Sequence, residues 1–426
     1  MPEAVAAQPS APVGLQDGDG APLRVLVVCQ NDFGAPTEKQ ALWLARELAG
    51  RGHRVLISIG GELASAQREG ATAIDGIDVV RHSFAARRLR RDSARRAQAF
   101  RPDVIHAFNS RPPTVAAAAG YRRATGSPVL VHFEDDEWRR HPALPGEPLY
   151  RRAGRVGRRL ASRVHPPLWT ESTRASLRWA RRRAAGFDAL TPMLADEVSR
   201  RFERPCATVL PVNPPEATDP PPLGDVEFPA GQFALVTGTV WPIYLDDVLL
   251  GMRAVAELQR RGTGIAYVHA GRVHPRIDPA QLCAEAGLAP GTATFLGYVP
   301  FAQVPGLLRR ATVLLSPGAP TPFNRLRLPA KLQAYLASGT PTVTFAVGFG
   351  ELLEDRREAL LTRTADPAEL AARIAEVLSE PALAATLRAG GPRAARRLFD
   401  AGRNAEALVR LYRAALRAAG GPPHAG

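Results

Sequence analysis

Leu23-Arg24-Val25-Leu26-Val27-Val28-Cys29 is a short apolar run whose length and valine content suit a strand buried on both faces of a parallel sheet. It runs into Gln30-Asn31-Asp32-Phe33-Gly34-Ala35-Pro36-Thr37, a turn-rich loop. Leu42, Ala45, Leu48 and Ala49 then recur at helical spacing up to a stop at Gly52, and Arg54 to Ile59 reads as a second strand. Strand, glycine loop, helix and strand form a βαβ unit, and sheets built from such units hold ligands at the carboxyl ends of their strands. Gly34 is the first candidate contact, because a side chain there would keep the backbone away from a diphosphate. A glycine that merely turns the chain into the helix would look the same.

The same alternation continues outward. Asp103 to Phe108 and Pro128 to Phe133 read as strands with an alanine-rich helix between them, and no strand is expected from Arg139 until Ala207 to Leu210. Pro211 to Pro229, with Pro220-Pro221-Pro222 at its centre, reads as a linker. A second series follows, with strands expected near Phe233, Ile265, Thr294, Thr312, Thr340 and Ala359. Helices are expected over Asp246 to Gln259, Val304 to Arg310 and about Arg325 to Ala337, and the stretch from Pro367 to Ala419 reads as helical with Arg on its outer faces. The pattern predicts an α/β chain of two doubly wound domains facing each other across a cleft. Its expected boundaries are a disordered tail at 1–22, a first domain at 23–212, the linker at 213–230, a second domain at 231–398, a carboxyl-terminal helix at 399–419 and a tail at 420–426.

Composition narrows the function. A length of 426 residues suits two domains, and a hydrophobic fraction of 45% excludes wholesale disorder. No apolar run approaches the roughly 18 residues of a membrane span. The first 22 residues lack the charged start and apolar run of a secretory signal, so a cytoplasmic protein is expected. Cys29, Cys206 and Cys283 are scattered and odd in number, which signals neither a disulfide framework nor a Cys-rich metal site. The net charge of +14 points to an anionic partner, yet Lys occurs only at Lys39 and Lys331, and an Arg excess of this kind follows from codon composition alone. A nucleic-acid partner would rest on charge with no aromatic-basic motif behind it, so none is expected.

Pro322-Phe323-Asn324-Arg325-Leu326-Arg327-Leu328-Pro329-Ala330-Lys331 opens into the expected helix. Helix amino-termini favour anions, and Arg327 and Lys331, four apart, would share a face there. That arrangement suits a pyrophosphate; a solvated surface helix would carry the same cations. His269-Ala270-Gly271-Arg272 ends another strand at the same sheet edge, which makes Gly271 and Arg272 candidates for the same ligand. In the first domain, His132-Phe133-Glu134-Asp135-Asp136-Glu137 sets a histidine and four acids at a strand end. The readings open there are a buried structural histidine, acid–base chemistry, or a divalent cation on the acids.

Lys331-Leu332, Tyr335-Leu336-Ala337, Ser338-Gly339 and Pro341-Thr342-Val343 resemble the nucleotide-sugar segment of family-four glycosyltransferases, which pair two Rossmann-like domains in the GT-B fold. The ordered set Gly34, Gly52-His53-Arg54-Val55, Asp103 to His106, His132, Gly238 and Gly297-Tyr298-Val299 extends the resemblance over Leu23 to Leu416. It implies a transferase that moves a sugar, with retention, from a nucleotide diphosphate sugar to a glycan, lipid-linked or small-molecule acceptor, without cofactor or metal. It further implies that His132 works at the reaction centre and that the glycine loops at Gly34 and Gly238 and the segment carrying Lys331 hold the donor. The residues themselves add Glu134 or Asp135 as the carboxylate orienting the imidazole or the acceptor, Gly271 and Arg272 as further donor contacts, and Asn324, Arg325 and Arg327 as groups that would join Lys331 on the phosphates. The chain departs from the family at four positions. Leu326 and Ala334 stand where two glutamates are usual, and Thr239 and Tyr244 where an Arg and a Lys are usual. The departures leave two functions open, an enzyme with an atypical donor site or a non-catalytic binding subunit of a glycan-assembly system. Between Arg151 and Arg183 lie eleven Arg and one acid, with Leu and Trp interleaved. Such a stretch would rest on an anionic membrane carrying a lipid-linked acceptor, placing the protein at the inner membrane face, or would be a solvated helical face.

Overall fold

The structure is a computed structural model and describes residues 21–30, 36–60, 77–82, 91–138, 169–212 and 228–420. Gly34, the part of the basic stretch from 151 to 168, and most of the expected linker and tails lie outside these residues. The described chain divides into two compact units, one of residues 21–212 together with 401–420, the other of residues 228–400.

The first unit runs β1 (Arg24–Val28), α1 (Pro36–Gly50), β2 (Arg54–Ile59), β3 (Asp78–Arg81), α2 (Arg91–Phe100), β4 (Val104–Ala107), α3 (Pro112–Thr125), β5 (Val129–Phe133), α4 (Trp169–Arg183), β6 (Gly186–Ala189), α5 (Pro192–Phe202) and β7 (Cys206–Thr208). Its strands lie in the order β3-β2-β1-β4-β5-β6-β7, all parallel. Every residue of β4, β5 and β6 is buried, as a sheet covered on both faces requires. Strand β6 corrects the expectation of no strand before Ala207. Gly186-Phe187-Asp188-Ala189 has neither alternation nor strand propensity, and it forms because β5 and β7 offer it a ladder on each side.

The second unit runs β8 (Gln232–Thr237), α6 (Leu245–Arg260), β9 (Ile265–Ala270), α7 (Pro279–Ala286), β10 (Ala293–Gly297), α8 (Val304–Arg310), β11 (Val313–Ser316), α9 (Ala330–Ser338), β12 (Thr342–Phe345), β13 (Leu360–Thr362), α10 (Pro367–Ser379) and α11 (Pro381–Leu398). The parallel strands are ordered β10-β9-β8-β11-β12-β13. Helix α9 starts five residues later than the sequence suggests. Proline disfavours the helical region for the residue before it, so Leu328 cannot continue a turn into Pro329, which itself has the extended ψ of 117°. Arg325 and Arg327 therefore belong to the preceding loop, and Arg327 does not share a helix face with Lys331.

The last helix, α12 (Ala401–Ala418), belongs to the first unit. Asn404, Ala405, Leu408, Tyr412, Ala415 and Leu416 form one buried stripe at three- and four-residue spacing, and its apolar members join a core with Val25, Leu48 and Leu130. Arg51 pairs with Glu406 at 3.1 Å, and the Asn404 amide donates to the Pro211 carbonyl at 3.3 Å. Among the described residues no helix is long and apolar enough to cross a membrane.

Each sheet reverses its strand order once, between β1 and β4 and between β8 and β11. Loops leaving the strands at such a point splay apart and leave a crevice at the carboxyl edge. Leu408 is wholly buried under the first sheet. Leu408→Ala is expected to cost about 2–4 kcal/mol through the cavity it leaves, read as a lowered urea midpoint of the first unit.

Candidate functional site

In the first unit, β4 and β5 deliver the polar residues of the edge. Asn109 follows β4 with φ of 143°, a backbone region that few side chains tolerate, and its Oδ1 accepts from the Arg111 N–H at 3.1 Å. Asn109 Nδ2, Ser110 Oγ, Thr114 Oγ1 and, after β1, Gln30 Oε1 are buried without a partner in the protein. Buried polar atoms are almost always satisfied, so four unpaired ones in the segments that follow β1 and β4 are unused hydrogen-bonding capacity at this edge.

His132 lies at the end of β5, 1% exposed, with the Phe108 ring stacked on it at 4.4 Å. Its Nδ1 is 2.6 Å from Asp188 Oδ2, while Asp188 Oδ1 is 2.9 Å from His106 Nε2, and His106 Nδ1 is 2.9 Å from the Tyr412 hydroxyl. Burial would raise the Asp188 carboxyl, but the two imidazoles outweigh it and hold the group well below the ordinary carboxylate range. Burial likewise opposes charge on His132, and here too the partner wins. The Asp188 carboxylate, its hydrogen bond and the more distant Glu134 leave the imidazole above its usual value. Nε2 of His132 is buried with no partner in the protein.

Glu134 and Asp135 do not orient this imidazole. Each has an oxygen 3.9 Å from an Arg111 nitrogen, and Arg111 Nε donates to Glu137 at 2.8 Å. The orienting carboxylate is Asp188, which lies on the strand that sequence patterning does not show, and His106 and Tyr412 extend its network. Among the described residues, His106, His132 and Asp188 are the group whose donor atoms converge, within 4.8 Å. The carboxylate oxygens stand at hydrogen-bond separations from the two ring nitrogens, 2.6 and 2.9 Å.

In the second unit, β8 ends at Thr237-Gly238 and β9 at Ala270-Gly271. Gly238 (φ 115°) and Gly271 (φ 151°) approach so closely that a Cβ on Gly271 would lie 2.0 Å from the Gly238 carbonyl oxygen. That oxygen accepts from His269 Nε2 at 2.7 Å, and burial, ahead of nearby Lys331, pushes His269 down to about 4, so the ring is neutral. The buried Tyr335 of α9 ties the helix to the same loop: its hydroxyl accepts from the Thr237 N–H at 2.7 Å and donates to Thr237 Oγ1 at 3.1 Å. Gly271 is thus required by backbone packing. Arg272 is exposed and stacks on Tyr298, with its guanidinium 5.0 Å from the ring centre.

The loop after β11 brings the cations together. Asn324 is buried, donating to the Ala319 carbonyl at 2.9 Å, so its amide shapes the loop. Arg325 is exposed. Arg327 lies between the Tyr244 and Phe323 rings, 5.0 Å from each, and reaches Asp247 Oδ2 at 3.1 Å, while its Nε is buried without a partner. Burial and the positive charge of Arg327 push Lys331 down to about 8, only partly offset by Asp247. Arg327 and Lys331 therefore do meet, by way of loop and helix, and Asp247 is a site residue that sequence reasoning misses. Its position in the first turn of α6, where acidic residues are common for reasons of helix stability, hides it.

Two all-parallel, doubly wound units, each with polar loops at its switch point, define an α/β protein of the GT-B class. Residues 37–214 match the glycosyl transferase 4-like domain and residues 232–380 the glycosyl transferases of group 1, and the chain belongs to this family. It is similar to 2-deoxystreptamine glucosyltransferase of Streptomyces kanamyceticus, 30% identical over 241 residues that cover 54% of this chain and 59% of that protein. It is also similar to D-inositol 3-phosphate glycosyltransferase of a Nocardioides species, 32% identical over 197 residues, or 42% of this chain and 41% of that protein. The chain thus matches about half the length of these relatives. Among solved structures it shares its fold with Anabaena HepE in complex with UDP and glucose, at TM-score 0.62 and 15% identity over 91% of this chain and 98% of that one. The sucrose-phosphate synthase of Thermosynechococcus elongatus gives TM-score 0.60 and 16% identity over 93% and 100%.

Gly271→Ala is expected to lose roughly 2–4 kcal/mol, since backbone must move to admit the methyl. Gly262, at φ 83° with nothing within 4 Å of where a methyl would stand, serves as the control and is expected to lose only about 1 kcal/mol in the same urea titration.

Proposed function

We propose that the protein is a glycosyltransferase that takes a sugar from a nucleotide diphosphate sugar held at the β8/β11 edge of the second unit. It passes the sugar to a hydroxyl-bearing acceptor at the β1/β4 edge of the first. The observation that carries this reading is the state of Arg327 and Lys331. Arg327 is paired with Asp247 while Lys331 lies near enough to feel both, an Arg N–H is buried without an acceptor, and the lysine is depressed by its own surroundings. An anion with several oxygens relieves the last two, and a diphosphate is such an anion. The usual basic residue at position 244 is a tyrosine, yet the Arg327 guanidinium lies over that ring. Positive charge reaches the glycine loop from α9 and the loop before it instead of from α6. HepE has been solved with UDP and with UDP-glucose, which makes a uridine diphosphate sugar the first donor to try.

His132 is the group proposed to meet the transferring sugar or the leaving phosphate through Nε2, with the acceptor hydroxyl among Asn109, Ser110 and Thr114. A glycan, a lipid-linked glycan and a small polyol all offer such hydroxyls. The basic stretch would favour the lipid-linked case through an anionic membrane; its described part, α4, ends in Arg181, Arg182 and Arg183. The second reading, a non-catalytic binding subunit, has one observation in its favour: Leu326 is buried and Ala334 packs against the core where the family's glutamates stand.

Calorimetry with a panel of nucleotide diphosphate sugars, followed by assay of nucleotide diphosphate release with candidate acceptors, separates the readings. Binding with turnover supports transfer, binding without turnover supports the subunit, and no binding removes both. Lys331→Ala is expected to weaken donor binding about 10- to 100-fold, the worth of one charge-assisted contact. Because Lys331 carries its charge only below about 8, donor affinity of the unaltered protein is expected to fall as pH rises through that value, and this fall is expected to vanish in Lys331→Ala.

A further inference from the structure

The chain of hydrogen bonds behind His132 ends on the last helix of the protein, and its protons can be placed one by one. Asp188 is ionised, so both oxygens accept. The nitrogens facing them, His132 Nδ1 at 2.6 Å and His106 Nε2 at 2.9 Å, must then carry hydrogen. An imidazole with a single N–H at Nε2 leaves His106 Nδ1 as an acceptor. The Tyr412 hydroxyl is 2.9 Å from it, and burial, with the charge of Asp188, holds that phenol well above its ordinary value, so it keeps its proton and donates.

We propose that Tyr412 is a positioning residue: its donation to Nδ1 fixes His106 as an Nε2–H donor to Asp188, and the carboxylate so held makes His132 the Nδ1–H tautomer and leaves Nε2 as the basic nitrogen turned away from the network. The two imidazoles on Asp188 thus hold opposite tautomers, His106 with hydrogen on Nε2 and His132 with hydrogen on Nδ1. Four elements contribute, β4, β5, β6 and α12, and every polar atom along the line has its partner except His132 Nε2. Among the described residues, the groups that bear on this line can be named. Glu134 adds a negative charge near His132, Cys206 on β7 faces Asp188, and Phe108 covers the His132 ring. What the tautomer does for sugar transfer rests on the transferase reading; the tautomer itself does not.

The test uses the full chain labelled with 15N-histidine. Long-range 15N–1H correlations are recorded above the His132 titration, with His106 and His132 assigned by single substitution to Gln. The expected result is hydrogen on Nδ1 of His132 and on Nε2 of His106. Hydrogen on Nδ1 of His106, or the same tautomer for both rings, overturns the proposal without any variant having to fold. Tyr412→Phe then removes the donor to His106, which no longer supports the carboxylate as firmly, and His132 bears more of its charge. The His132 midpoint is expected to rise by about half a pH unit, roughly threefold in proton affinity. Leu408→Ala, which loosens the same helix without touching the line, is expected to leave the midpoint in place or lower it. A Tyr412→Phe midpoint that is unchanged, or that falls with Leu408→Ala, overturns the role of Tyr412. If the tautomers are as expected while the pH profile of sugar transfer ignores the shift, the transferase role of His132 fails and the line stands.

Discussion

The ionised carboxylate of Asp188, with no exposure to solvent, is the constraint around which the first unit is organised. A charge so placed costs several kcal/mol unless it is paired and fully hydrogen-bonded, and its two oxygens take one imidazole N–H each. Neither imidazole can be lost without leaving the charge uncompensated. This requirement draws β4, β5 and β6 into one register, His106↔Leu130 and His132↔Asp188, and brings Tyr412 of the distant α12 against them. A core this dry would ordinarily be filled with apolar residues. Placing an ionised carboxylate and its two imidazoles there sacrifices stability that leucines would supply.

The second unit meets the opposite problem. Its switch point gathers positive charge with too little negative charge to balance it: Asp247 pairs with Arg327 and offsets the charge of Lys331 only in part. Backbone packing makes the edge rigid: Gly271 lies against Gly238, His269 holds the Gly238 carbonyl, and Tyr335 holds Thr237. If a diphosphate binds at this edge as proposed, cations already buried beside a loop held by these contacts would spare it part of the cost of ordering the site.

Much of this is legible in the sequence, and what is not has a common cause. The βαβ pattern, the second alternating series and the strand ends carrying His132, Gly238 and Gly271 follow from hydrophobic runs and turn residues, signals that are local. Strand β6 is held by its neighbours on both sides, and its four residues carry no pattern of their own, so Asp188 stays hidden with it. Tyr412 reads as one more apolar position on an amphipathic helix, and nothing within the helix shows that its hydroxyl meets a strand more than 300 residues earlier. The acids after His132 mislead in the opposite direction: proximity in sequence suggests Glu134 or Asp135 as the orienting carboxylate, whereas the turn after β5 carries both toward Arg111. The late start of α9 belongs to a third kind, a local signal that is present in Pro329 and outweighed by apolar spacing.

The departures from the family are best understood by what a donor site must supply physically. A diphosphate needs positive charge and N–H donors in a confined place, and it is indifferent to which strand or helix delivers them. With Tyr244 at the end of the glycine loop, a cation there is replaced by an aromatic face, and an aromatic face can seat a guanidinium that arrives from elsewhere. Arg327 does arrive, stacked between Tyr244 and Phe323 and anchored by Asp247, with an N–H to spare. On the proposed donor reading, Arg327 would supply from one side of the switch point the charge that Tyr244 lacks on the other. The missing glutamates are a different matter, since Leu326 and Ala334 bury apolar surface and offer no acceptor in place of the acids. Sugar and ribose hydroxyls would have to find other partners, and the phosphate side of the site would carry a larger share of donor recognition than in relatives that keep both acids.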